Sequence, residues 1–470
     1  MGNDKSGKHS LTIGNLKFAR PRIFKMRFTI YPWDLRSWRS AFRVTGLPGI
    51  ALFSLLIGAM FQIADTTGGG AGHSSAKAIL LIRTPAIVLA FLLLLFRPRV
   101  AKLRVFDMRF AYGLFALMYL ASALWSQERV QTIGKAAELL LAGMVFFEAT
   151  RDSHPIERVE GLRRITLLTM STVGMLTVLG FIARVPAFVQ HRPGLITTTT
   201  AQAPFLSGNG LGYVASALLL VVLAEWQAKR LVGKAAFGQI MFGLALFSVS
   251  ASRTSFGILL LSTLLVVFKR SKILASLAAA GVVLAGFLFW SGILSRLQGH
   301  QNSSDFVTLS GRTVVWTAAV RQFEQHPIIG VGGGIGGKVV IAHIGNQYLE
   351  EMSSLHNGFL ELLTGLGLAG FLLGTWMLVG TTFRAWTAWD ANPQFAGTYV
   401  LIIHVWITTT MSTGILGWMG YEVALFLCIL SNVDLIAERA RALSRFAVRP
   451  VRWSEQALIP HGEAAELVSR

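Results

Sequence analysis

Residues 294–356 contain or border three short motifs: Leu309-Ser-Gly-Arg-Thr-Val-Val-Trp316, His326-Pro-Ile-Ile-Gly-Val-Gly332 and Leu355-His-Asn-Gly-Phe-Leu-Glu361. This polar stretch interrupts a chain that is otherwise built from apolar runs, nine before it and three after it. Apolar runs of roughly 18 residues can cross a bilayer as helices. The pattern predicts an all-α polytopic membrane protein with about 12 transmembrane helices and one long loop between helices 9 and 10.

Composition supports this fold class. Only 14% of the residues are charged, 53% are hydrophobic and the mean hydropathy is +0.56, whereas a soluble domain has about 25% charged residues. The single cysteine, Cys428, excludes an internal disulfide. The predicted spans are 45–64, 78–96, 110–125, 134–149, 165–183, 209–226, 236–251, 255–268, 273–293, 357–380, 396–413 and 419–436.

The distribution of basic residues predicts the orientation. Of the 43 Lys and Arg residues, 32 fall in segments that are cytoplasmic if the N-terminus is inside, and 10 fall on the other side. Basic residues favour cytoplasmic loops, so both termini are predicted inside and the loop 294–356 outside. The net charge of +20 is then largely a topology signal, and no nucleic-acid-binding motif accompanies it.

Three segments follow from this map. Residues 1–44 form a basic cytoplasmic segment without the features of a cleaved signal peptide. Its cations Lys17, Arg20, Arg22, Lys25 and Arg27 are predicted to lie against anionic headgroups, the alternative being a disordered tail. Residues 45–436 form the transmembrane bundle with its loop 294–356, and residues 437–470 form a cytoplasmic tail.

Two arginines on the outer side are the first candidates for a functional site. Ser310 is a plausible helix N-cap, which places Arg312 in the first turn of an amphipathic helix, where a cation is unfavourable unless an anion binds. Arg253 lies in a tight outer turn, against the orientation bias. Arginine can hold phosphate through two parallel hydrogen bonds. The alternatives are a surface arginine in a loop for Arg312 and contact with headgroups for Arg253.

His356 opens the tenth span. A histidine titrates near neutral pH and can accept a proton from a hydroxyl group. The alternative is a polar helix start that is satisfied by Asn357 or by water. The nearby run from Gly332 to Lys338 matches the first part of a phosphate-binding loop, but Val339 replaces the required Ser or Thr, and we reject the match. We expect these glycines to allow a close backbone turn near a ligand.

Further polar residues are candidates for substrate binding. Asn209 opens the sixth span at the outer face, although a simple helix start also explains it. Arg83 lies inside the second span near its outer end, and a charge within the membrane is a functional candidate by default. Asn357 and Arg321 complete this group. No His, Cys, Asp or Glu cluster has metal-ligand spacing, so neither a metal nor another cofactor is predicted.

These residues together resemble the O-antigen ligase/polymerase superfamily, bacterial envelope glycosyltransferases with many helices and one long periplasmic loop late in the chain. The resemblance rests on the three motifs above, extended to Gly370, on Ser-Ala-Ser-Arg253-Thr-Ser and on Ser-Gly-Asn209-Gly-Leu-Gly212. It spans about residues 110–435. The Arg-Thr-Ser turn and the loop look closest to the exopolysaccharide branch, the ExoQ-type Wzy polymerases.

The resemblance implies a glycosyltransferase in the bacterial inner membrane. Its donor would be a glycan on undecaprenyl pyrophosphate, and an acceptor hydroxyl would attack the anomeric carbon while lipid pyrophosphate leaves. Arg253 and Arg312 would hold the pyrophosphate in place of a metal, and His356 would activate or position the acceptor. Membrane lipids, a chain-length regulator and export proteins are the other expected partners, and nucleic acid is not.

Four functions remain open at this point. The first is a polysaccharide polymerase, with a second lipid-linked glycan as acceptor. The second is an O-antigen ligase, whose acceptor is lipid A-core or a protein. The third is a secondary transporter, although the sequence shows no pair of similar halves and no pair of broken helices. The fourth is a non-catalytic membrane scaffold.

Overall fold

The computed structural model describes residues 31–60, 72–95, 107–151, 154–190, 200–201, 208–227, 231, 233–250, 252–288, 312–344, 355–391, 396–411 and 420–447. The basic residues from Lys17 to Arg27, the predicted N-cap Ser310 and the final 23 residues of the predicted C-terminal tail, 448–470, lie outside these ranges. The same is true of residues 294–311 and 345–354 of the predicted loop.

The described chain is almost wholly helical. The helices are α1 Leu35–Thr45, α2 Leu47–Met60, α3 Gly72–Leu95, α4 Met108–Ala121, α5 Arg129–Ala149, α6 Pro155–Ile182, α7 Gly208–Gln227, α8 Gly233–Ser250, α9 Arg253–Arg270, α10 Lys272–Leu288, α11 Arg312–Gln325, α12 Gly336–Ile344, α13 Gly358–Ala391, α14 Ala396–Met411 and α15 Tyr421–Ala447. Two strands, β1 Val189–Gln190 and β2 Thr200–Ala201, pair antiparallel over two residues each.

Every predicted span overlaps a helix. The first nine spans correspond to α2–α10, and the last three correspond to α13–α15. Within the described residues, five helices (α5–α8 and α13) are long and apolar enough to cross a membrane, and α1 with α2, bent by 119°, would make a sixth. The all-α polytopic class is therefore confirmed. The number of twelve transmembrane helices stays a prediction.

Several threonine side chains inside the bundle form hydrogen bonds within their own helix. The hydroxyl groups of Thr166, Thr169 and Thr409 each donate to the carbonyl four residues earlier, at 2.7–3.0 Å. Backbone and side-chain polar groups find no water in a bilayer core, so such bonds within one helix let an apolar segment carry threonine. Between the helices, large rings fill the core, and Tyr112, Phe115, Tyr119 and Phe146 are fully buried.

One cluster of aromatic residues defines an end of the bundle. The ammonium group of Lys269, near the C-terminus of α9, lies 3.5 Å from the centre of the Trp386 ring and 5.3 Å from that of Tyr399. It also pairs with Asp390 at 2.8 Å. The cluster joins the last turns of α9 and α13 to the first turn of α14. We call this end of the bundle the Lys269 end and the opposite end, where α13 begins, the His356 end.

Helix α13 is broken at Gly367, which has φ 63° and ψ −162°. A regular helix would bond the Leu368 and Ala369 N–H groups to the carbonyls of Thr364 and Gly365. Instead, those N–H groups donate to the carbonyls of Pro327 and Ile328, and the two freed carbonyls accept from Val331 and Gly332, all at 2.7–3.2 Å. The loop 327–332 thus satisfies all four backbone groups that the break releases.

The predicted tenth span, 357–380, lies within this helix. The helix continues to Ala391 and contains the break. A Cβ atom on Gly367 would lie 2.4 Å from the backbone of Ile328, and one on Gly330 would lie 2.4 Å from the backbone of Gly365. The motif that begins at His326 and the Gly365-Leu-Gly367 segment of α13 therefore form one contact, which fixes the loop 327–332 on α13.

Candidate functional site

His356 has an unusual backbone conformation. Its φ of 50° lies in the left-handed region, which costs a residue with a side chain about 1–2 kcal/mol. Neighbours on both sides hold it there. Two hydrogen bonds fix the backbone of Leu355. Its N–H donates to Glu361 Oε1 at 2.8 Å, and its carbonyl accepts from Trp316 Nε1 at 2.8 Å. Strain that the surroundings maintain is often found at functional sites, which supports His356 as a candidate.

Asn357 begins the helix after His356. Its Oδ1 accepts from the N–H groups of Phe359 and Leu360, at 3.0 and 3.1 Å, in the manner of an N-cap. The polar helix start that we considered as the alternative for this motif is therefore present at Asn357. Its side-chain oxygen is engaged in the cap, and a role of Asn357 in substrate binding stays a prediction.

The side chain of Glu361 contacts several elements near His356. One carboxylate oxygen accepts from Leu355 and the other from the N–H of Gly337, at 3.3 Å, at the start of α12. Lys135 of α5 is close enough to act on Glu361 electrostatically, and its ammonium group donates to the carbonyl of Gly334. Glu361 thus joins α5, α12 and α13 around the residue that precedes His356. A hydrogen bond to a charged group contributes about 1.5–3 kcal/mol.

The glycine run packs closely against other parts of the protein, and its proximity to a ligand stays a prediction. A Cβ atom on Gly332 would lie 2.6 Å from the Ser126 side chain, and one on Gly333 would lie 2.7 Å from the Tyr119 ring. The N–H of Gly333 donates to Ser122 Oγ at 2.8 Å. Lys338, the lysine of the rejected phosphate-loop match, donates to Gln131 Oε1 at 2.8 Å. These glycines let the loop approach the α4–α5 connection closely.

Arg312 is the first residue of α11, as the sequence predicted, and it is half-buried. One turn later, Trp316 makes the bond to Leu355 that anchors α11 beside His356. Burial, and then the positive charge of Arg312, lowers the pKa of His356 from 6.5 to about 4. At neutral pH the imidazole is therefore uncharged and can accept a hydrogen bond or a proton. The positive charge of Arg312 beside it favours an anion at this point.

The turn that carries Arg253 packs against the start of α7. Ser252 is the N-cap of α9, and its Oγ accepts from Ser255 N–H at 3.2 Å. Ser255 in turn donates to the carbonyl of Asn209 at 3.4 Å. A Cβ atom on Gly212 would lie 2.4 Å from Ser255 Oγ, so this glycine permits the contact. Two motifs that are far apart in the sequence therefore meet, with Arg253 at the first position of its helix.

Arg253 and His356 share one end of the bundle. The C-terminal parts of α9 and α13 meet at Lys269 and Trp386. Their N-termini, which carry Arg253 and follow His356, consequently point to the opposite end. The structure thus brings Arg312 and His356 together directly, and it places Arg253 and the exposed Asn209 on the same side of the membrane protein. The side chain of Arg253 is not among the described groups.

The remaining candidates lie apart from this group. Arg321 is exposed and follows Arg312 by nine residues, about two and a half turns, so it projects from the opposite face of α11. Arg83 lies within α3, and its side chain is outside the described groups. Among the described residues no three His, Cys, Asp or Glu side chains are grouped as metal ligands.

Glu361 and Lys135 were not predicted as site residues from the sequence. A signal for Glu361 was available, because an acidic residue among apolar neighbours at the start of a span needs a partner. Nothing in the sequence pointed to Lys135, whose contact partner is nearly 200 residues away in the chain.

Comparison with known families matches this region. The model of the family described as O-antigen ligase covers residues 241–374. This segment contains Arg253, Arg312, His356 and Glu361, the glycine loop and the break in α13. Residues 241–374 form a domain of the O-antigen ligase/polymerase superfamily. No curated protein matches the chain.

The family match refines the resemblance inferred from the motifs. The superfamily is confirmed, but the matched segment is shorter than the expected range of about 110–435. Closeness to the ExoQ-type branch stays a prediction. With its membrane-capable helices and this domain, the protein is a multi-pass bacterial membrane protein.

Proposed function

We propose that the protein is a membrane glycosyltransferase that polymerises undecaprenyl-pyrophosphate-linked oligosaccharide repeat units at the periplasmic face of the inner membrane. The observation that carries the proposal is Arg312 beside an uncharged, strained His356, within a domain of this superfamily. Arginine is suited to pyrophosphate because its planar group donates two parallel hydrogen bonds and stays charged. Arg253, on the same end of the bundle, is assigned to the same leaving group.

The reaction needs one cationic and one proton-accepting group. An acceptor hydroxyl oxygen forms a bond to the anomeric carbon, and the bond from that carbon to the pyrophosphate oxygen breaks. The leaving pyrophosphate gains negative charge, which Arg312 and Arg253 stabilise. The hydroxyl proton passes to His356 if the histidine is the base. If His356 only positions the acceptor, the proton leaves with water or with the pyrophosphate.

The low pKa of His356 gives this assignment a specific consequence. A base whose pKa is about 4 is weak at neutral pH. A pyrophosphate bound at Arg312 adds negative charge next to the histidine and offsets the effect of the arginine, so donor binding should raise the pKa of His356. The site would then become a stronger base only when the donor is present.

A ligase is the second candidate, because the matched family is described as O-antigen ligase. The two functions share the donor and differ in the acceptor. The site described above, from Arg312 to Glu361, faces the donor and the attacking hydroxyl, and both candidates use it in the same way.

The deciding experiment uses purified protein in proteoliposomes with a lipid-linked oligosaccharide. A ladder of products formed from this donor alone supports a polymerase. Single transfers that require lipid A-core or an acceptor protein support a ligase and overturn the polymerase. Movement of the donor between leaflets with no new glycosidic bond would instead indicate a transporter. His356→Ala protein is the matched negative control, and a parallel reaction with a chelator tests the metal independence of the proposal.

The proposed orientation has its own test. Reporter fusions at residues 230 and 390 should report a cytoplasmic location, and a fusion near residue 320 should report a periplasmic one. A cytoplasmic signal near residue 320 would place Arg312 on the wrong side for this reaction. A chain-length regulator and export proteins remain proposed partners.

A further inference from the structure

The loop that fills the break in α13 exposes two large apolar side chains. Ile328 is 71% exposed and Ile329 is 48% exposed, although their backbone is fixed against α13. The carbonyls of Pro327 and Ile328 accept from Leu368 and Ala369, so the loop has a defined place along the helix. Two adjacent exposed isoleucines at the tip of a short loop are unfavourable in water. Their surroundings indicate what covers them.

The isoleucines extend an apolar stripe on the transmembrane part of α13. Exposed apolar residues recur there every three or four positions, which places them on one face of the helix. They are Leu368, Leu372, Trp376, Val379, Phe383 and Trp386. Such a face on a membrane-spanning helix contacts acyl chains. Ile328 and Ile329 lie next to the first residue of this stripe.

The depth of the loop follows from helix length. Trp386 lies in the aromatic cluster of the Lys269 end, and such rings mark the boundary between hydrocarbon and headgroups. A helix crosses the hydrocarbon in about 20 residues. Counting back from Trp386 over that distance reaches Leu366, next to Gly367, so the break lies near the opposite boundary. The first turns of α13, with Glu361, then extend beyond the hydrocarbon.

We propose that the loop Pro327–Ile329 inserts into the bilayer leaflet at the His356 end and contacts lipid acyl chains. The loop is then a membrane anchor for α11, which the sequence analysis treated as part of an extramembrane loop. The polar exposed face of α11, with Thr317, Arg321 and Glu324, stays in water. The anchor holds α11 close to the membrane surface at one end, while Trp316 holds it to Leu355. This inference does not depend on the proposed reaction.

Fluorescence quenching of single labels tests the anchor. Cysteine replaces Ile328, Thr317 on the exposed face of α11, or Val379 in the middle of the stripe, and each receives an environment-sensitive dye. Because the Ile328 backbone makes the bond to Ala369, this substitution leaves the docking intact. Cys428 is fully buried, and unsubstituted protein gives the background of labelling.

The labelled proteins are reconstituted in vesicles that carry lipid quenchers at a shallow or a deep acyl position, with iodide as the aqueous quencher. The label at 328 should be quenched severalfold more by the shallow lipid quencher than by iodide. The label at 379 should respond most to the deep quencher, and the label at 317 to iodide. Strong iodide quenching at 328 would overturn the proposal. A label at 328 that is shielded from both quenchers would also overturn it, because protein would then cover the loop.

A second position keeps the test independent of one substitution. Ile329→Cys should give the same shallow lipid signal as Ile328→Cys, since both side chains leave the same turn. If Ile328→Cys fails to assemble, the outcome at 329 decides between acyl chains, water and a protein contact.

Discussion

At the Lys269 end of the bundle arginines lie among carboxylates, whereas at the His356 end Arg312 lies beside a histidine. Arg109 pairs with Asp107 at 3.2 Å and with Asp434 at 3.4 Å, and Arg384 also contacts Asp434. Arg163 pairs with Glu160 at 2.6 Å and with Glu225 at 3.2 Å. In contrast, Glu361, which lies five residues after His356, accepts from backbone N–H groups.

This comparison distinguishes arginines that stabilise the fold from an arginine that belongs to the candidate site. A buried charge is tolerated when an opposite charge and hydrogen bonds replace its water, and the arginines at the Lys269 end meet that condition inside the protein. Their contacts link α4, α13 and α15, and α6 with α7, so they maintain the architecture. Arg312 acts electrostatically on His356, and under the proposed function its charge also stabilises the bound pyrophosphate. The predictions below test whether this contrast holds.

The largest expected loss of turnover follows substitution of His356. His356→Ala should lower turnover by about 10²–10⁴ if the histidine is a general base. His356→Gly should be equally inactive and at least as stable as wild type, because glycine adopts the left-handed conformation without strain. Turnover with lipid-linked donor and thermal unfolding separate the two effects. Wild-type turnover in both variants and in His356→Gln would reduce His356 to a helix-start residue.

The pH dependence of stability and activity sharpens the same assignment. The pKa of His356 is about 4 in the folded protein against 6.5 for an ordinary histidine. Between these values the unfolded chain binds a proton and the folded chain does not, so stability falls as the pH decreases through this window. His356→Gln should remove that loss. The value of kcat/KM should fall as the pH decreases through about 4, because kcat/KM reports the free enzyme. The value of kcat should begin to fall at a higher pH, because kcat reports the complex with bound pyrophosphate.

The second prediction compares arginines at the two ends. Arg312→Ala should lower turnover by about 10²–10³ with little change in thermal stability, and Arg312→Lys should not restore it. Arg109→Ala should instead destabilise the fold by about 3–5 kcal/mol, because it removes a cationic partner of the buried carboxylates of Asp107 and Asp434.

Arg129 supplies the control for this comparison. Like Arg312 it is the first residue of its helix, but it is exposed and the site does not include it. Arg129→Ala should retain wild-type turnover. Equal losses of turnover in Arg129→Ala and Arg312→Ala would show that any cation at the His356 end matters, and the pyrophosphate assignment would then fail.

The sequence predicted the parts of the fold that depend on local patterns. Apolar periodicity located a helix at each of the twelve predicted spans, and the residue types of Arg312 and His356 identified the candidate site. The left-handed backbone of His356 was not predictable, because contacts from Trp316 and Glu361 impose it and both depend on tertiary packing. The break at Gly367 was missed for a similar reason. Its four backbone groups are satisfied by a loop some 35–40 residues earlier in the chain, and an apolar pattern carries no information on such a partner.

The smallest expected loss of turnover follows substitution of Gly367, at the break in α13. Gly367 has φ 63°, and an added Cβ would lie 2.4 Å from the Ile328 backbone, so Gly367→Ala should displace the loop. Each backbone group left unpaired costs about 1–3 kcal/mol, and thermal unfolding should show a loss of that order. Turnover should fall less than in His356→Ala, because Glu361 and Trp316 still hold Leu355. Gly134→Ala is the matched control, since a Cβ there meets nothing within 4 Å and alanine favours the helix. Equal stability of the two variants would mean that the loop does not depend on the break, and that the His356 end is held by side-chain contacts alone.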